Sequence, residues 1–198
     1  MKKSLLAIRD TLLAKHLPIF SAREFGVLLS LSNRQTLYYL QKGAENGLFI
    51  QAKRGIYYLK TDPPSELEIA NQLYRPSYIS FEFALAYYNL LPEMVYTITS
   101  ATTKPTREYT VETKIFRYTT IKLSAYTGYE MKVANHKRFF IAEPEKAIVD
   151  YLYAVSLGRR ALSERLDLST VDIKKIKIYT ALFASKSLNA LVTKVFQK

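Results

Sequence analysis

The spacing of apolar residues predicts three short helices within the first fifty residues of the chain. The predicted helices cover residues 4–15, 22–29 and 33–46. Pro18 ends the first helix, because proline cannot continue the helical hydrogen-bond pattern. Ser21-Ala22-Arg23-Glu24 and Ser32-Asn33-Arg34-Gln35 open the second and third, since both have the Ser-x-x-Glu/Gln pattern of a capping box. Gly47 is the predicted stop of the third helix.

The third predicted helix has an apolar side and a polar side. Its inward side is predicted to carry Leu37, Leu40 and Ala44, which recur at helical spacing. Arg34 flanks the outward side near the N-terminus, and the residues predicted to face outward are Gln35, Tyr38, Tyr39 and Lys42. An apolar seam on one side and long hydrogen-bonding side chains on the other favour a helix that enters a DNA groove.

Two short runs of strand-forming residues follow, at 48–52 and 56–59, on either side of Lys53-Arg54-Gly55. Glycine fits the tight turn of a hairpin, and the two cations would then lie at its tip. Three helices followed by a basic hairpin predict a winged helix-turn-helix, a module that places one helix in the major groove of duplex DNA.

Seven residues are the predicted DNA-binding residues. Arg34 is the first candidate for a base contact, since arginine can form two hydrogen bonds with guanine, and the amide of Gln35 suits adenine. The other five are assigned to phosphates, sugars or the minor groove: Tyr38, Tyr39, Lys42, Lys53 and Arg54.

Asp62-Pro63-Pro64 predicts a linker, because two prolines interrupt both helix and sheet, so the expected domains are 1–60 and 64–198. The expected fold class is α+β, with a second domain in which helices flank a sheet rich in antiparallel pairs. Helices are predicted at 65–73, 81–91, 143–158 and 160–167, and from 169 onward with a break near 185–187. Strands are predicted at 95–100, 113–123, 129–133 and 138–142, the last two joined across Asn135-His136.

The charge of the chain indicates a polyanionic partner. It carries 29 Lys/Arg and 17 Asp/Glu, a formal net charge of +12. Residues 1–60 hold ten basic and three acidic residues, and residues 61–198 hold nineteen and fourteen, which favours nucleic-acid contact through the N-terminal domain. The absence of cysteine excludes disulfides and thiolate metal sites. No run of about eighteen apolar residues is present, and a cytoplasmic protein is expected.

Two other functional classes stay open. Glu112-Thr113-Lys114 and Glu130-Met131-Lys132 have the E-x-K spacing of a metal-dependent nuclease, in which one carboxylate holds Mg²⁺. Such a site also needs an acid on a neighbouring strand, and residues 95–103 contain none. Alternatively, the basic surface, including Lys174-Lys175-Ile176-Lys177, binds an acidic protein. His136 has no companion ligands at metal-site spacing, so no catalytic residue, metal site or cofactor is predicted.

The order of several segments resembles one protein family. Arg54-Gly55-Ile56-Tyr57-Tyr58 closes the basic hairpin, and Pro76-Ser77-Tyr78-Ile79-Ser80 leads into the helix that begins at Phe81. The strand with Phe116-Arg117-Tyr118 follows, and Ile141-Ala142-Glu143-Pro144-Glu145-Lys146-Ala147 opens a further helix. Over roughly residues 5–155, the chain in this respect resembles the AbiEi antitoxin and transcriptional-regulator family of the AbiE toxin–antitoxin systems.

The resemblance implies a non-enzymatic DNA-binding repressor that also acts as an antitoxin. The winged helix would bind inverted repeats in the double-stranded DNA of its own promoter. The second domain would counter a co-encoded nucleotidyltransferase-like toxin, and a stable complex of the two proteins is not required for this. The DNA contacts of the family correspond here to the third helix and the hairpin, and the segment from about 160 has no counterpart in the resemblance.

Overall fold

The computed structural model describes residues 3–134 and 137–197, and the chain divides into two compact units, 1–73 and 74–198. Each unit combines helices with one sheet, so the expected α+β class is confirmed. Among the described helices, none is both long and apolar enough to span a lipid bilayer. The turn expected at Asn135 and His136 lies outside the described residues.

The first unit consists of helices packed on a small antiparallel sheet. Its elements are α1 (Leu5–Ala14), β1 (Ile19–Ser21), α2 (Ala22–Leu28), α3 (Asn33–Glu45), β2 (Phe49–Lys53), β3 (Ile56–Leu59) and α4 (Glu66–Leu73). The strand order is β1-β3-β2, with Phe20 opposite Tyr57 and Ile50 opposite Tyr58. The sequence did not predict β1, because three residues are too few to show an alternating pattern.

Local hydrogen bonds fix where α2 and α3 begin. The Ser21 hydroxyl accepts from the Glu24 N–H at 3.1 Å, and the Glu24 carboxylate accepts from the Ser21 N–H at 2.7 Å. Ser32 and Gln35 repeat this arrangement at 3.3 and 3.0 Å, so both predicted capping boxes are confirmed. Between the two helices Ser30 has a left-handed backbone conformation (φ 53°), which ends α2 and turns the chain into α3.

Three phenylalanine rings hold α2, α3 and the sheet together. The centroid of the Phe20 ring lies 5.4 Å from that of Phe25 and 5.5 Å from that of Phe49, and all three rings are buried. The Phe49 ring lies directly against Gly43 of α3, where a methyl group would come within 3.0 Å of two ring carbons. Helical spacing alone gives no reason for a glycine at this position, and the close approach of the ring supplies one.

The boundary between the units lies after Leu73 and not between residues 60 and 64 as expected, because α4 contacts β1 and β2. The later boundary changes the charge of the first unit, since it adds Asp62, Glu66 and Glu68 to that unit. The first unit then holds ten basic and six acidic residues, a net charge of +4, and the second holds nineteen and eleven, a net charge of +8. The excess counted over residues 1–60 is therefore not a property of the folded unit.

The second unit is built on a mixed sheet of six described strands. Its elements are β4 (Ser77–Ile79), α5 (Phe81–Tyr87), β5 (Ile98–Thr102), β6 (Arg107–Val111), β7 (Lys114–Thr120), β8 (Tyr129–Ala134), β9 (Lys137–Ala142), α6 (Pro144–Ser156), α7 (Ile173–Leu182) and α8 (Lys186–Phe196), with a 3₁₀ turn at Leu123–Ala125. The strand order is β6-β7-β5-β4-β9-β8. The β5–β7 and β4–β9 pairs are parallel, and the other three pairs are antiparallel.

The second unit departs from its predicted elements in several places. The helix predicted at 160–167 is wrong. That segment is held instead by Tyr151, whose hydroxyl donates to the Ala161 carbonyl at 2.6 Å and accepts from the Ser163 N–H at 2.9 Å. The strands β4 and β6 were not predicted, and α5 ends at Tyr87 instead of continuing to residue 91. The β8–β9 hairpin, the helix from Pro144 and the break before α8 are confirmed.

A buried ionic cluster joins α6 to β4. Lys146 and Asp150 are fully buried and form an ion pair one helical turn apart. The Asp150 carboxylate also accepts hydrogen bonds from the hydroxyls of Tyr78 at 2.9 Å and Ser80 at 2.8 Å. Burial, and then the charge of Asp150, raise the pKa of Tyr78 well above its ordinary value. Because the Ser80 hydroxyl is engaged here, it makes no capping hydrogen bond at the start of α5.

We expect Gly43→Ala to destabilise the first unit by about 1–3 kcal/mol, because the new methyl group forces the Phe49 ring to move within a packed core. Helix propensity alone predicts the opposite sign, a gain of about 1 kcal/mol. The measurement is the free energy of unfolding from urea denaturation. In a Phe49→Leu background the smaller side chain leaves room for the methyl group, so Gly43→Ala is expected to cost less, measured against Phe49→Leu alone, than in the wild type. A Gly43→Ala single variant more stable than the wild type would contradict the packing explanation.

Candidate nucleic-acid interface

The outward side of α3 differs from the predicted one by a rotation of about one residue. The residues of α3 that are buried are Thr36, Tyr39, Leu40 and Gly43. Leu37 is 63% exposed and Ala44 is exposed, so the prediction that they face the core is wrong. Both the predicted and the observed inward sets have helical spacing. The sequence favours the wrong set because threonine and glycine are not typical core residues.

Tyr39 belongs to the core of the first unit and not to its surface. Its side chain is buried beside Leu40, and its hydroxyl accepts a hydrogen bond from the backbone N–H of Lys3 at 2.8 Å. The Lys3 ammonium in turn donates to the Leu29 carbonyl at 2.8 Å, at the end of α2. The predicted role of Tyr39 in DNA contact is therefore corrected, because its hydroxyl serves to join the chain before α1 to α3.

Arg34 and Gln35 lie at the start of α3 but differ in what they can still bind. Arg34 is exposed, and within the described residues its guanidinium has no hydrogen bond or ion pair. The Gln35 carbonyl oxygen is engaged by the Ser32 N–H in the capping box. Recognition of adenine requires both the oxygen and the nitrogen of the amide, so Gln35 can provide that contact only if the capping hydrogen bond opens.

Tyr38 and Lys42 continue the exposed side of α3 one and two turns beyond Arg34. The Lys42 ammonium donates to the Tyr38 hydroxyl at 3.4 Å and lies 5.7 Å from the centroid of its ring. The Tyr38 ring is half exposed, at 49%. Leu37 lies between Arg34 and Tyr38 on the same side, and an exposed aliphatic group at such a position is suited to contact the methyl group of thymine.

The β2–β3 hairpin presents one exposed cation at its turn. Arg54 is exposed, and Gly55 has a φ of 82°, which a two-residue turn requires here. Lys53 is half-buried at the end of β2, next to an irregularity in the β2–β3 register, so only Arg54 occupies the tip. The Gly55 carbonyl accepts from the Ala22 N–H at 2.9 Å, which fixes the hairpin relative to the start of α2.

A groove of about 720 Å³ separates the exposed sides of α2 and α3. It is lined in part by Arg23, Asn33 and two exposed apolar residues, Val27 (74% exposed) and Leu37. Neither Arg23 nor Val27 is recognisable from the sequence as a surface contact, because both fit an ordinary amphipathic helix. Gly26 lets the two helices approach, since a methyl group there would lie 2.7 Å from the Thr36 hydroxyl.

The segment of the first unit that carries α3 and the hairpin is basic. Residues 25–61, which contain α3 and the hairpin, hold five basic residues and one acid, Glu45. Asp62, Glu66 and Glu68, the acids that lower the charge of the unit, all lie in or just before α4. The local balance, and not the total, therefore favours contact of α3 and the hairpin with a polyanion.

The two E-x-K segments differ in where the structure places their charged residues. Glu112 lies in the turn between β6 and β7 with a φ of 52°, so it does not share a strand with Lys114. Glu130 and Lys132 do lie on one strand, where they form a surface ion pair of 3.3 Å. Across residues 3–134 and 137–197, no group of three His, Asp or Glu side chains is arranged to hold a metal ion. His136 lies outside those residues.

Comparison with models of protein families gives no match, and comparison with curated proteins gives none either. The interpretation of the interface thus depends on its geometry and charge.

We expect Tyr39→Ala to lower the free energy of unfolding by about 3–5 kcal/mol, since it removes a buried aromatic ring. The neighbouring Tyr38→Ala serves as the matched control and is expected to cost less than about 1 kcal/mol, because that ring is half exposed. Urea denaturation of the two variants measures the difference. Equal losses would show that the two tyrosines are not divided between core and surface in this way.

Proposed function

We propose that the chain is a sequence-specific, double-stranded DNA-binding repressor whose first unit acts as a winged helix-turn-helix domain. In this proposal α2 and α3 are the helix-turn-helix, α3 is the recognition helix, and the β2–β3 hairpin is the wing. The observation that carries the proposal is the exposed side of α3, where Arg34, Leu37 and Tyr38 lie together without an acidic neighbour on α3 before Glu45.

The side chains divide into those that read bases and those that position the protein. Arg34 contacts a guanine, and Leu37 contacts a thymine methyl group, because both are exposed in the first half of α3. Lys42 and Arg54 contact phosphates, and Tyr38 a phosphate or sugar. Lys53 supports the wing from the end of β2. Gln35 acts mainly as the capping residue that fixes the start of the helix.

The resemblance to the AbiEi family supports a more specific proposal. The chain binds inverted repeats in its own promoter and represses its own operon, acting in the cytoplasm. Two copies of the module on an inverted repeat match the symmetry of such an operator. Binding is expected to weaken steeply with salt, since each neutralised phosphate releases condensed counterions.

We expect Arg34→Ala to weaken binding to a promoter fragment by about 1–3 kcal/mol while binding to random DNA changes little, because a base contact is lost. Arg54→Ala is expected to weaken both equally and to reduce the slope of log affinity against log salt by about 1, because a phosphate contact is lost. Gel-shift titrations at several salt concentrations measure both effects.

Arg165→Ala is the matched control, since it removes an exposed arginine of the second unit, and unchanged binding is expected. Wild-type protein that binds promoter and random DNA with equal affinity at every salt concentration would exclude sequence-specific recognition. Wild-type affinity in Arg34→Ala and Arg54→Ala together would exclude α3 and the hairpin as the interface.

On the resemblance to the same family, we also propose that the second unit counters a co-encoded nucleotidyltransferase-like toxin. We expect expression of such a neighbouring gene alone to arrest growth, and co-expression of the full chain to restore it. Arg34→Ala is the control that separates the two activities, because loss of operator binding leaves the second unit intact. Growth arrest that persists with wild-type chain would contradict the antitoxin role and leave the DNA-binding proposal untouched.

A further inference from the structure

The strand β8 forms an open edge of the larger sheet. Within the described residues it pairs with β9 alone, and it ends the strand order of the sheet. Every residue from Tyr129 to Ala134 is exposed except Lys132, which is half-buried. An exposed edge of six residues offers unpaired backbone groups to another strand.

The two faces of β8 differ sharply in character. Tyr129, Met131 and Val133 point to one face and are 36%, 53% and 61% exposed. Phe140 of β9, which lies opposite Met131, extends this apolar face and is 44% exposed. Glu130 and Lys132 point to the other face, where their charged groups lie 3.3 Å apart.

The sequence of β8 is complementary to itself in one antiparallel register. When Met131 lies opposite Met131 of a second copy, Glu130 faces Lys132 and Lys132 faces Glu130 across the two-fold axis. In the same register Tyr129 of each copy lies opposite Val133 of the other copy. An aromatic and a β-branched side chain pair well across strands. The apolar faces of the two strands then lie on the same side and form one continuous surface.

Neighbouring registers are disfavoured, either because like charges lie opposite each other or because apolar and charged faces are mismatched. A shift of two residues in either direction brings Glu130 opposite Glu130 or Lys132 opposite Lys132, and like charges directly opposite each other are destabilising. A shift of one residue places the charged face of one strand beside the apolar face of the other. The other edge strand, β6, has no such symmetry, because Glu108 would face Thr110 about its centre.

We propose that the chain forms a two-fold symmetric dimer through antiparallel pairing of β8 with β8 of a second copy, in the register centred on Met131. A lysine on an edge strand commonly guards against unwanted pairing. Here the same lysine, with a glutamate two residues before it, permits pairing with one partner in one register. The inference stands apart from the proposed function, since the dimer forms without DNA.

Sedimentation velocity of the full chain from about 1 to about 100 µM measures the association. The expected affinity of the dimer is weak, because a single pair of strands is a small interface. We expect a concentration-dependent monomer–dimer equilibrium that weakens with added salt. Lys132→Glu and Glu130→Lys should each weaken the dimer by about tenfold or more, because each places like charges opposite one another.

A mixture of the two single variants is the decisive sample. One chain then carries two acids at positions 130 and 132 and the other carries two lysines, so every cross-strand pair is favourable in the mixed dimer alone. We expect a mixed dimer at concentrations where each variant by itself is monomeric. The doubly exchanged chain, Glu130→Lys with Lys132→Glu, should dimerise like the wild type.

Glu108→Lys on β6 is the matched control, because it makes the same change of charge on the other edge of the sheet, and unchanged dimerisation is expected. Circular dichroism of each variant verifies that it is folded. A wild-type chain that is monomeric throughout the concentration range, or folded single variants that neither lose self-association nor form a mixed dimer, would overturn the proposal.

Discussion

The contact between the Phe49 ring and Gly43 is the constraint on which the first unit depends. It sets how closely α3 approaches the sheet, and the Phe20 and Phe25 rings that surround Phe49 bring α2 to the same point. Once α3 is seated in this way, its orientation about its own axis is decided, because Tyr39 must be inside and Leu37 outside. The exposed side chains that we propose for DNA contact are therefore a result of core packing. A larger residue at position 43 would move the whole surface.

Features encoded by neighbouring residues were predictable from the sequence, and features that depend on distant contacts were not. Both capping boxes, the stop at Gly47 and the strands of the β8–β9 hairpin follow from local spacing, and the structure has them. The orientation of α3 was predicted wrongly, because the inward residues include Thr36 and Gly43, whose burial is decided by α2 and β2. Of the predicted interface, only Tyr39 moves to the core. The prolines at 63 and 64 suggested a domain boundary, but α4 beyond them packs on the first sheet.

The second unit has charged side chains at positions of α6 where the helical spacing of apolar residues would predict apolar core residues. Lys146 and Asp150 lie on the buried side of α6, and their charges are tolerated because they pair with each other and because Tyr78 and Ser80 satisfy the carboxylate. Replacement of one member of such a pair leaves the other charged and buried, which makes the pair far more sensitive to change than its surroundings. Their burial gives the inward side of α6 a structural reason to tolerate little change.

The capping box at the start of α3 limits how the exposed side chains of that helix can change over evolution. Gln35 lies beside the arginine proposed to read a base, yet its side chain also closes the helix start on Ser32. Glutamine and glutamate are the two residues that complete this type of cap. The substitution at position 35 that keeps the cap is therefore Gln35→Glu. It exchanges an amide, which can donate hydrogen bonds, for a carboxylate, which only accepts them. Other substitutions at position 35 would remove the hydrogen bond to the Ser32 N–H and weaken the first turn of α3.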